Sequence, residues 1–236
     1  MAKIFGRKPV IETIDTGEKI LKAHILKSNS NNKFIEKIIN KLNERNVKIV
    51  YENKDYFSKI DGNHQGVEIE VEDFKYKDLD ELKDKKRLMI LDQIEDPHNL
   101  GAIIRSAEAF GFDGIIIGER RSAKVNSTVY KTSAGAINNI DIAQVININR
   151  AIKELKEENF WIYGLAGEAE SDITQTDLTG KIGLVVGNEG KGLSRLVREN
   201  CDGLIKIPML GKINSLNASV ASAIAIYETI RQNGFN

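Results

Sequence analysis

One cysteine, three prolines, three histidines and one tryptophan in 236 residues leave several chemistries without material. Cys201 stands alone, so neither an intrachain disulfide nor a cysteine-based metal cluster can form within one chain. It follows a helix-like run, Leu193 to Asn200, and reads as a small buried hydrophobe rather than a nucleophile. His24, His64 and His98 are far apart and carry no metal-ligand spacing, so no metal is expected. No apolar run approaches the ~20 residues of a membrane span, which excludes a membrane partner of that kind. The opening residues, Met1 to Pro9, have no apolar secretory core, and a cytoplasmic protein is expected. Net charge is missing too: 34 Lys and Arg balance 34 Asp and Glu. That argues against holding nucleic acid by bulk electrostatics alone. The balance is uneven, since residues 1–60 carry 13 basic against 7 acidic side chains, a lean of +6 toward a polyanion.

The material that is present is that of a soluble globular chain, with 41% hydrophobic and 29% charged residues. Its length suits one large domain or two smaller ones. Over residues 1–72, apolar positions at helical spacing predict helices from Lys8 to Ile20, Lys33 to Glu44 and Lys54 to Ile60. Between them lie short β-prone runs, Ala23 to Leu26, Val47 to Tyr51, and the alternating Val67, Ile69 and Val71. This is a small α/β domain. From Glu72 to Arg87, 12 of 16 residues are charged; such a stretch has too little to bury and reads as a linker over residues 73–87.

After it, strand and helix alternate. Strands are expected at Leu88 to Asp92, Gly114 to Ile117, Ile140 to Ile146, Phe160 to Leu165, Ile182 to Val186 and Leu204 to Ile207. Runs apolar on both faces, such as Ile115 to Ile117, suit the centre of a parallel sheet covered by helices. Residues 88–236 therefore form an α/β domain.

Three stretches of this second domain are not ordinary core. Asp96-Pro97 opens a helix well, because Asp caps and Pro suits the first helical position. Leu100, Ile103, Ile104 and Ala107 form its apolar stripe, and Gly111 can end it. Arg105 falls on the opposite side, about 120° from Asn99 at 100° per residue, and is not core. Gly187-Asn-Glu-Gly-Lys-Gly192 is a glycine-rich turn after an apolar strand. Its spacing fits neither the Walker pattern, which needs Lys and then Ser or Thr directly after Gly192, where Leu193 and Ser194 stand, nor the dinucleotide pattern, which needs glycine where Glu189 stands. The third stretch, Pro208 to Asn214, is a loop with few large side chains, after which Ser215 or Asn217 can cap the last helix. That helix is rich in small residues: Ala218, Ser219, Ala221, Ser222, Ala223 and Ala225.

Taken in order, Asp96–Gly111, Leu184–Leu193 and Ile207–Glu228 resemble the three signature motifs of the SpoU (TrmH-like) RNA ribose 2′-O-methyltransferases. Phe5 to Glu12 and His64 to Val67 resemble, more weakly, the start and end of the ribosomal-protein-like substrate domain of the rRNA-modifying branch. The resemblance implies a parallel-sheet domain tied in a deep trefoil knot, an exception to the rule that chains do not thread loops. It implies S-adenosylmethionine as cofactor, held largely by backbone at Gly187, Ile207 and Leu216, with Leu165, Gly167 and Met209 beside them. It places Asn99, Arg105, Glu189, Ser215 and Asn217 at the reaction, with Glu189 holding Arg105 or the ribose, and Arg7 and Lys8 on RNA. It implies a homodimer through the last helix. The expected reaction is methyl transfer to a ribose 2′-hydroxyl, of a guanosine in 23S ribosomal RNA first, of tRNA as the alternative, and a non-catalytic ribosome-assembly factor as the rival from another class. Asn126-Ser127, where a Thr-Pro-like pair is expected, and Ala218, where relatives often have Val, depart from the pattern.

Overall fold

The computed structural model describes residues 2–30, 32–60, 63–212 and 215–235. Ile213 and Asn214, at the end of the loop that begins at Pro208, lie outside the described residues. The chain divides into two compact units, residues 1–75 and 76–236.

The first unit runs β1 (Ala2–Phe5), α1 (Arg7–Thr16), β2 (Ile20–Leu26), α2 (Lys33–Glu44), β3 (Ile49–Glu52), α3 (Lys54–Phe57) and β4 (Val67–Val71). Its sheet has the order β1-β4-β2-β3, antiparallel except for the β2-β3 pair. Alternate strand residues Ala23, Ile25, Val67 and Ile69 meet Val10 and Ile14 of α1 and Ile35, Ile38 and Leu42 of α2 in one core. A fully buried isoleucine contributes about 1.5–3 kcal/mol in such a core, which is why the period-2 and period-3.6 patterns meet there. The helix expected to run to Ile20 stops at Thr16. Gly17 takes a left-handed φ of 88°, and Arg45 donates to the carbonyls of Ile14, Gly17 and Glu18, closing the helix end. The helix expected over 54–60 is a single turn, and β1 is a short edge strand that the sequence pattern does not announce.

The second unit runs β5 (Arg87–Asp92), α4 (Pro97–Ala109), β6 (Gly114–Gly118), α5 (Ser127–Ser133), β7 (Asp141–Val145), α6 (Ile148–Glu157), β8 (Trp161–Leu165), β9 (Ser171–Asp172), β10 (Ile182–Gly187), α7 (Arg195–Asn200), β11 (Gly203–Lys206) and α8 (Ala218–Asn233). All its strand pairs are parallel, in the order β7-β6-β5-β10-β8-β11-β9. Asn126, one of the departures from the family pattern, is the N-cap of α5 and accepts from the Val129 amide at 3.1 Å. The order matters for function. It sets β5, β10, β8 and β11 side by side, so the loops leaving their carboxyl ends face one another, the place where open parallel sheets bind ligands.

The charged stretch 73–87 is not a free linker. Tyr76 Oη accepts from the Val125 amide at 2.8 Å, Lys77 bridges Ala143 at the sheet edge, and Leu82 is fully buried in the same core cluster as Ile90 and Ile116. Its charges pair outward, Lys77 with Glu81, Lys83 with Glu154 and Lys85 with Asp141. Leu82, with Leu79 packed against the same cluster, and Tyr76 dock a segment that is otherwise solvated, and the division between units falls at Lys75–Tyr76.

Candidate active site at the carboxyl ends of the central strands

The turn after β10 is built by one side chain. Asn188 Oδ1 accepts the amides of Gly190 and Lys191 at 3.0 and 3.3 Å, its carbonyl takes the Gly192 amide at 2.7 Å, and its Nδ2 donates to the Gln93 carbonyl at 3.1 Å. The far end is fixed by buried Asp92, whose Oδ2 accepts from the Ser194 amide at 2.7 Å. The turn folds back so tightly that a Cβ on Gly187 would lie 2.3 Å from the carbonyl carbon and oxygen of Gly192 and 2.5 Å from the Leu193 nitrogen. Only glycine fits there.

This turn, the end of β8 and the loop before α8 enclose a cavity of about 660 Å³. Gly187, Ile207, Leu216, Leu165, Gly167 and Met209, the six residues expected at the cofactor, all line it, as do Glu189 and Ser215. Its wall is apolar at Leu165, Ile205, Ile207 and Leu216, with backbone exposed along Ala166–Gly167 and Asn188–Gly192. Glu168 and Arg198, paired side chain to side chain, also line it. Sequence reading misses both, because thirty residues separate them and neither sits in a motif. It also misses Asn188, although an Asn two residues before a glycine is a turn signal.

At one side of the cavity three distant side chains converge. Asn99 is 7% exposed, and its Nδ2 donates to Glu189 Oε1 at 2.9 Å. Asn217 Nδ2 donates to Asn99 Oδ1 at 3.0 Å and also to Glu189 Oε1, and the Ala218 amide reaches the same carboxylate oxygen at 3.4 Å. Asn217 Oδ1 accepts from the amides of Ser219 and Val220, so Asn217, not Ser215, is the cap of α8. The amide of Asn217 is therefore committed at both ends: oxygen on the helix, nitrogen on Asn99 and Glu189. Asp96 caps α4 through the His98 amide at 2.8 Å, and that bond holds its carboxyl below the usual range. The cap fixes the helix that carries Asn99.

Arg105 lies two turns further along α4, exposed, on the side away from Leu100 and Ile104. Among the described residues no carboxylate pairs with it. Of the two roles expected for Glu189, holding Arg105 or the ribose, no bond to Arg105 is formed among the described residues; its Oε1 takes the two asparagines and the start of α8. Ser215 is exposed at the cavity edge. Arg7 and Lys8 stand at the start of α1 in the other unit. The Arg7 amide donates to Gln65 Oε1 at 3.0 Å and its Nε to the Gln65 carbonyl at 3.4 Å, while Lys8 is exposed. Cys201 is half-buried, donates to the Val197 carbonyl, and burial pushes its thiol up to about 12, which leaves it without nucleophilic character at neutral pH. Among the described residues no helix is long and apolar enough to cross a membrane.

The chain is similar to known proteins over both units. The family model described as SpoU rRNA Methylase family matches residues 86–227, and that described as RNA 2′-O ribose methyltransferase substrate binding matches residues 3–77. An uncharacterized tRNA/rRNA methyltransferase of Synechocystis is 49% identical over 181 residues, 74% of this chain and 47% of that protein, so the alignment spans about half of that relative's length. The 23S rRNA (guanosine-2′-O-)-methyltransferase RlmB of Escherichia coli K12 is 41% identical over 223 residues, 91% of each chain. In fold, the chain is similar to the SpoU methyltransferase AviRb of Streptomyces viridochromogenes, solved in complex with AdoMet. The TM-score is 0.71 at 23% identity, over 98% of this chain and 89% of that one. With the family model covering more than half of the chain, over the strands, turn and helix that build the cavity, the protein belongs to the SpoU rRNA methylase family.

Proposed function

We propose that the protein transfers a methyl group from S-adenosylmethionine to the 2′-hydroxyl of a guanosine in 23S ribosomal RNA. The observation that carries this reading is the joining of Asn99, Glu189 and Asn217 beside a cavity lined by all six expected cofactor residues. The identity with RlmB along nearly the whole chain favours rRNA over tRNA. The cavity suits the cofactor: glycine at 187 leaves the turn's main chain bare, and apolar side chains offer faces for an adenine. Bound there, S-adenosylmethionine supplies an electrophilic methyl on a sulfonium that needs no acid to leave.

The chain's own residues then have to align a hydroxyl and find a place for its proton. Guanidinium stays protonated in proteins, so Arg105 is not a base. It grips the phosphate beside the target ribose bidentately, and that phosphate or a water takes the proton. Glu189 acts as a positioning residue by holding the amides of Asn99 and Asn217, and Asn99, Ser215 and Asn217 orient the nucleotide. Arg7 and Lys8, in the unit matched by the substrate-binding model, contact RNA.

The strand order around β10 and the packing of α8 on α4 and β10 support the deep trefoil knot. Val220, Ile224 and Tyr227, exposed at i, i+4 and i+7 on α8, support a homodimer through that helix. A ribosomal RNA substrate supports a cytoplasmic location.

The test is transfer of tritiated methyl from labelled S-adenosylmethionine into unmodified bulk rRNA and bulk tRNA, with Arg105→Ala as control. Label in rRNA that vanishes in the control is expected. Label in tRNA alone would refute the substrate, and an Arg105→Lys protein with normal turnover would refute the bidentate grip.

A further inference from the structure

A protein with no net charge has to hold an RNA strand with local cations, and the helix that carries Arg105 offers one. The loop between β6 and α5, residues 119–126, offers three more. Arg120, Arg121 and Lys124 are all exposed there, beside a single carboxylate, Glu119. None of the three makes an ion pair among the described residues.

The loop is held, not loose. Its ends are tied by the Glu119 amide to the Val145 carbonyl at 2.9 Å and by the Val125 amide to Tyr76 Oη at 2.8 Å. In its middle the amide of buried Ala123 donates to the Ile94 carbonyl at 2.7 Å. Arg121 has a φ of 54°, a left-handed conformation that arginine rarely adopts and that costs free energy unless its surroundings impose it.

The Ile94 anchor sets the loop's place. The preceding residue, Gln93, accepts at its carbonyl from Asn188, the side chain that builds the turn beneath the cavity. Two successive residues after β5 thus bind the cavity turn on one hand and the basic loop on the other. The basic loop and the cavity turn are therefore anchored on adjacent residues at the end of the same strand.

We infer that Arg120, Arg121 and Lys124 form a phosphate-gripping edge of the active site, holding the backbone of the RNA strand next to the target ribose. The inference rests on the proposed RNA substrate and assigns the strand contact, without base preference, to this loop. Tyr76 and Ala123 keep the loop rigid, so the cations are in place before RNA arrives.

The test is a triple variant, Arg120→Gln, Arg121→Asn and Lys124→Gln, in the full chain. Asparagine tolerates the left-handed backbone at 121, so the loop keeps its shape. Binding to unmodified rRNA transcript is measured by filter retention from about 50 to about 300 mM salt, the range over which phosphate contacts weaken, alongside methyl transfer and calorimetric titration with S-adenosylmethionine. Three single-strand phosphate contacts contribute a salt slope of about 2 and up to about 100-fold in affinity near ~0.1 M salt. The expected result is a loss of that order in RNA affinity, a shallower slope, a raised KM for RNA and an unchanged cofactor affinity. Arg120→Lys with Lys124→Arg, which keeps the charge, is expected to bind as the native protein does.

Unchanged RNA affinity and slope in the triple variant would overturn the inference while leaving the proposed reaction intact. A native protein that binds rRNA in a loop-dependent way but transfers no methyl would overturn the reaction and leave the loop's role standing. A triple variant that loses cofactor affinity as well would show the loop acting through the cavity turn, and would also overturn a contact confined to the strand.

Discussion

Substituting Gly187 by alanine adds one methyl group where the chain has no room for it. The added Cβ would stand 2.3 Å from two main-chain atoms of Gly192 and 2.5 Å from the Leu193 nitrogen. Ordinary contacts begin near ~3.4 Å, so the turn has to open by about 1 Å, and no side chain can rotate away because every neighbour is backbone. Overpacking of this kind costs about 1–3 kcal/mol. In a unit of this size that lowers the melting transition of residues 76–236 by about 3–10 °C. The same opening displaces the cavity wall and Glu189, and an ångström at a reacting centre costs about 100-fold in rate. Gly190 supplies the control within the same turn. Its nearest neighbour to a new Cβ is Asn188 Oδ1 at 3.6 Å and its φ is not left-handed, so Gly190→Ala should melt within about 1 °C of the native protein. Calorimetric titration with S-adenosylmethionine and thermal melting of both variants decide the matter. A Gly187→Ala protein that binds and melts like the native one would refute the close approach as the reason for the glycine.

Asn217→Ala removes the cap of α8 and one of the amides on Glu189; about 1 kcal/mol of stability should go with the cap, read by urea unfolding, and a larger fractional fall in methyl transfer with the lost positioning. Glu18 is 6% exposed with Oε1 unpartnered, and burial pushes its carboxyl up to about 7, well above the usual carboxylate range. The folded state then holds a proton that the unfolded state releases, so its stabilisation is full below about pH 4.5 and is lost as pH rises through about 7. Glu18→Gln should flatten that decline and raise the melting temperature of residues 1–75 at a pH of about 8, above that range; an unchanged pH profile would contradict it. Sedimentation velocity at micromolar concentration should give a dimer, and Ile224→Glu, which puts a carboxylate on the exposed stripe of α8, should shift it toward monomer.

The parallel sheet is legible because its strands are buried on both faces, and strings such as Leu88–Leu91 and Ile115–Ile117 have no polar face to offer water. β1 and β9 are not legible, being short, at or near sheet edges, and dependent for their conformation on partners far along the chain. The docking of the 73–87 stretch is hidden for a related reason. Composition counts charges, whereas docking depends on where the few apolar groups point, and Leu82 points into the core.

The candidate site divides the same way. Local signals, a cap at Asp96, a glycine turn and a polar helix start, mark the three segments within the sequence itself. What such signals cannot supply is the pairing between segments. Asn99 and Asn217 are 118 positions apart, and each by itself resembles a local cap or a surface amide. Their joint attachment to one carboxylate oxygen changes what each can do. Asn217 has its oxygen on the start of α8 and its nitrogen on Asn99 and Glu189, which supports a positioning role for it. Glu189 takes both amides on Oε1 and forms no ion pair with Arg105 among the described residues. Arg105, exposed and without a carboxylate partner among the described residues, is proposed to take a phosphate together with Arg120, Arg121 and Lys124, so that local charge on this unit supplies what the chain's zero net charge does not.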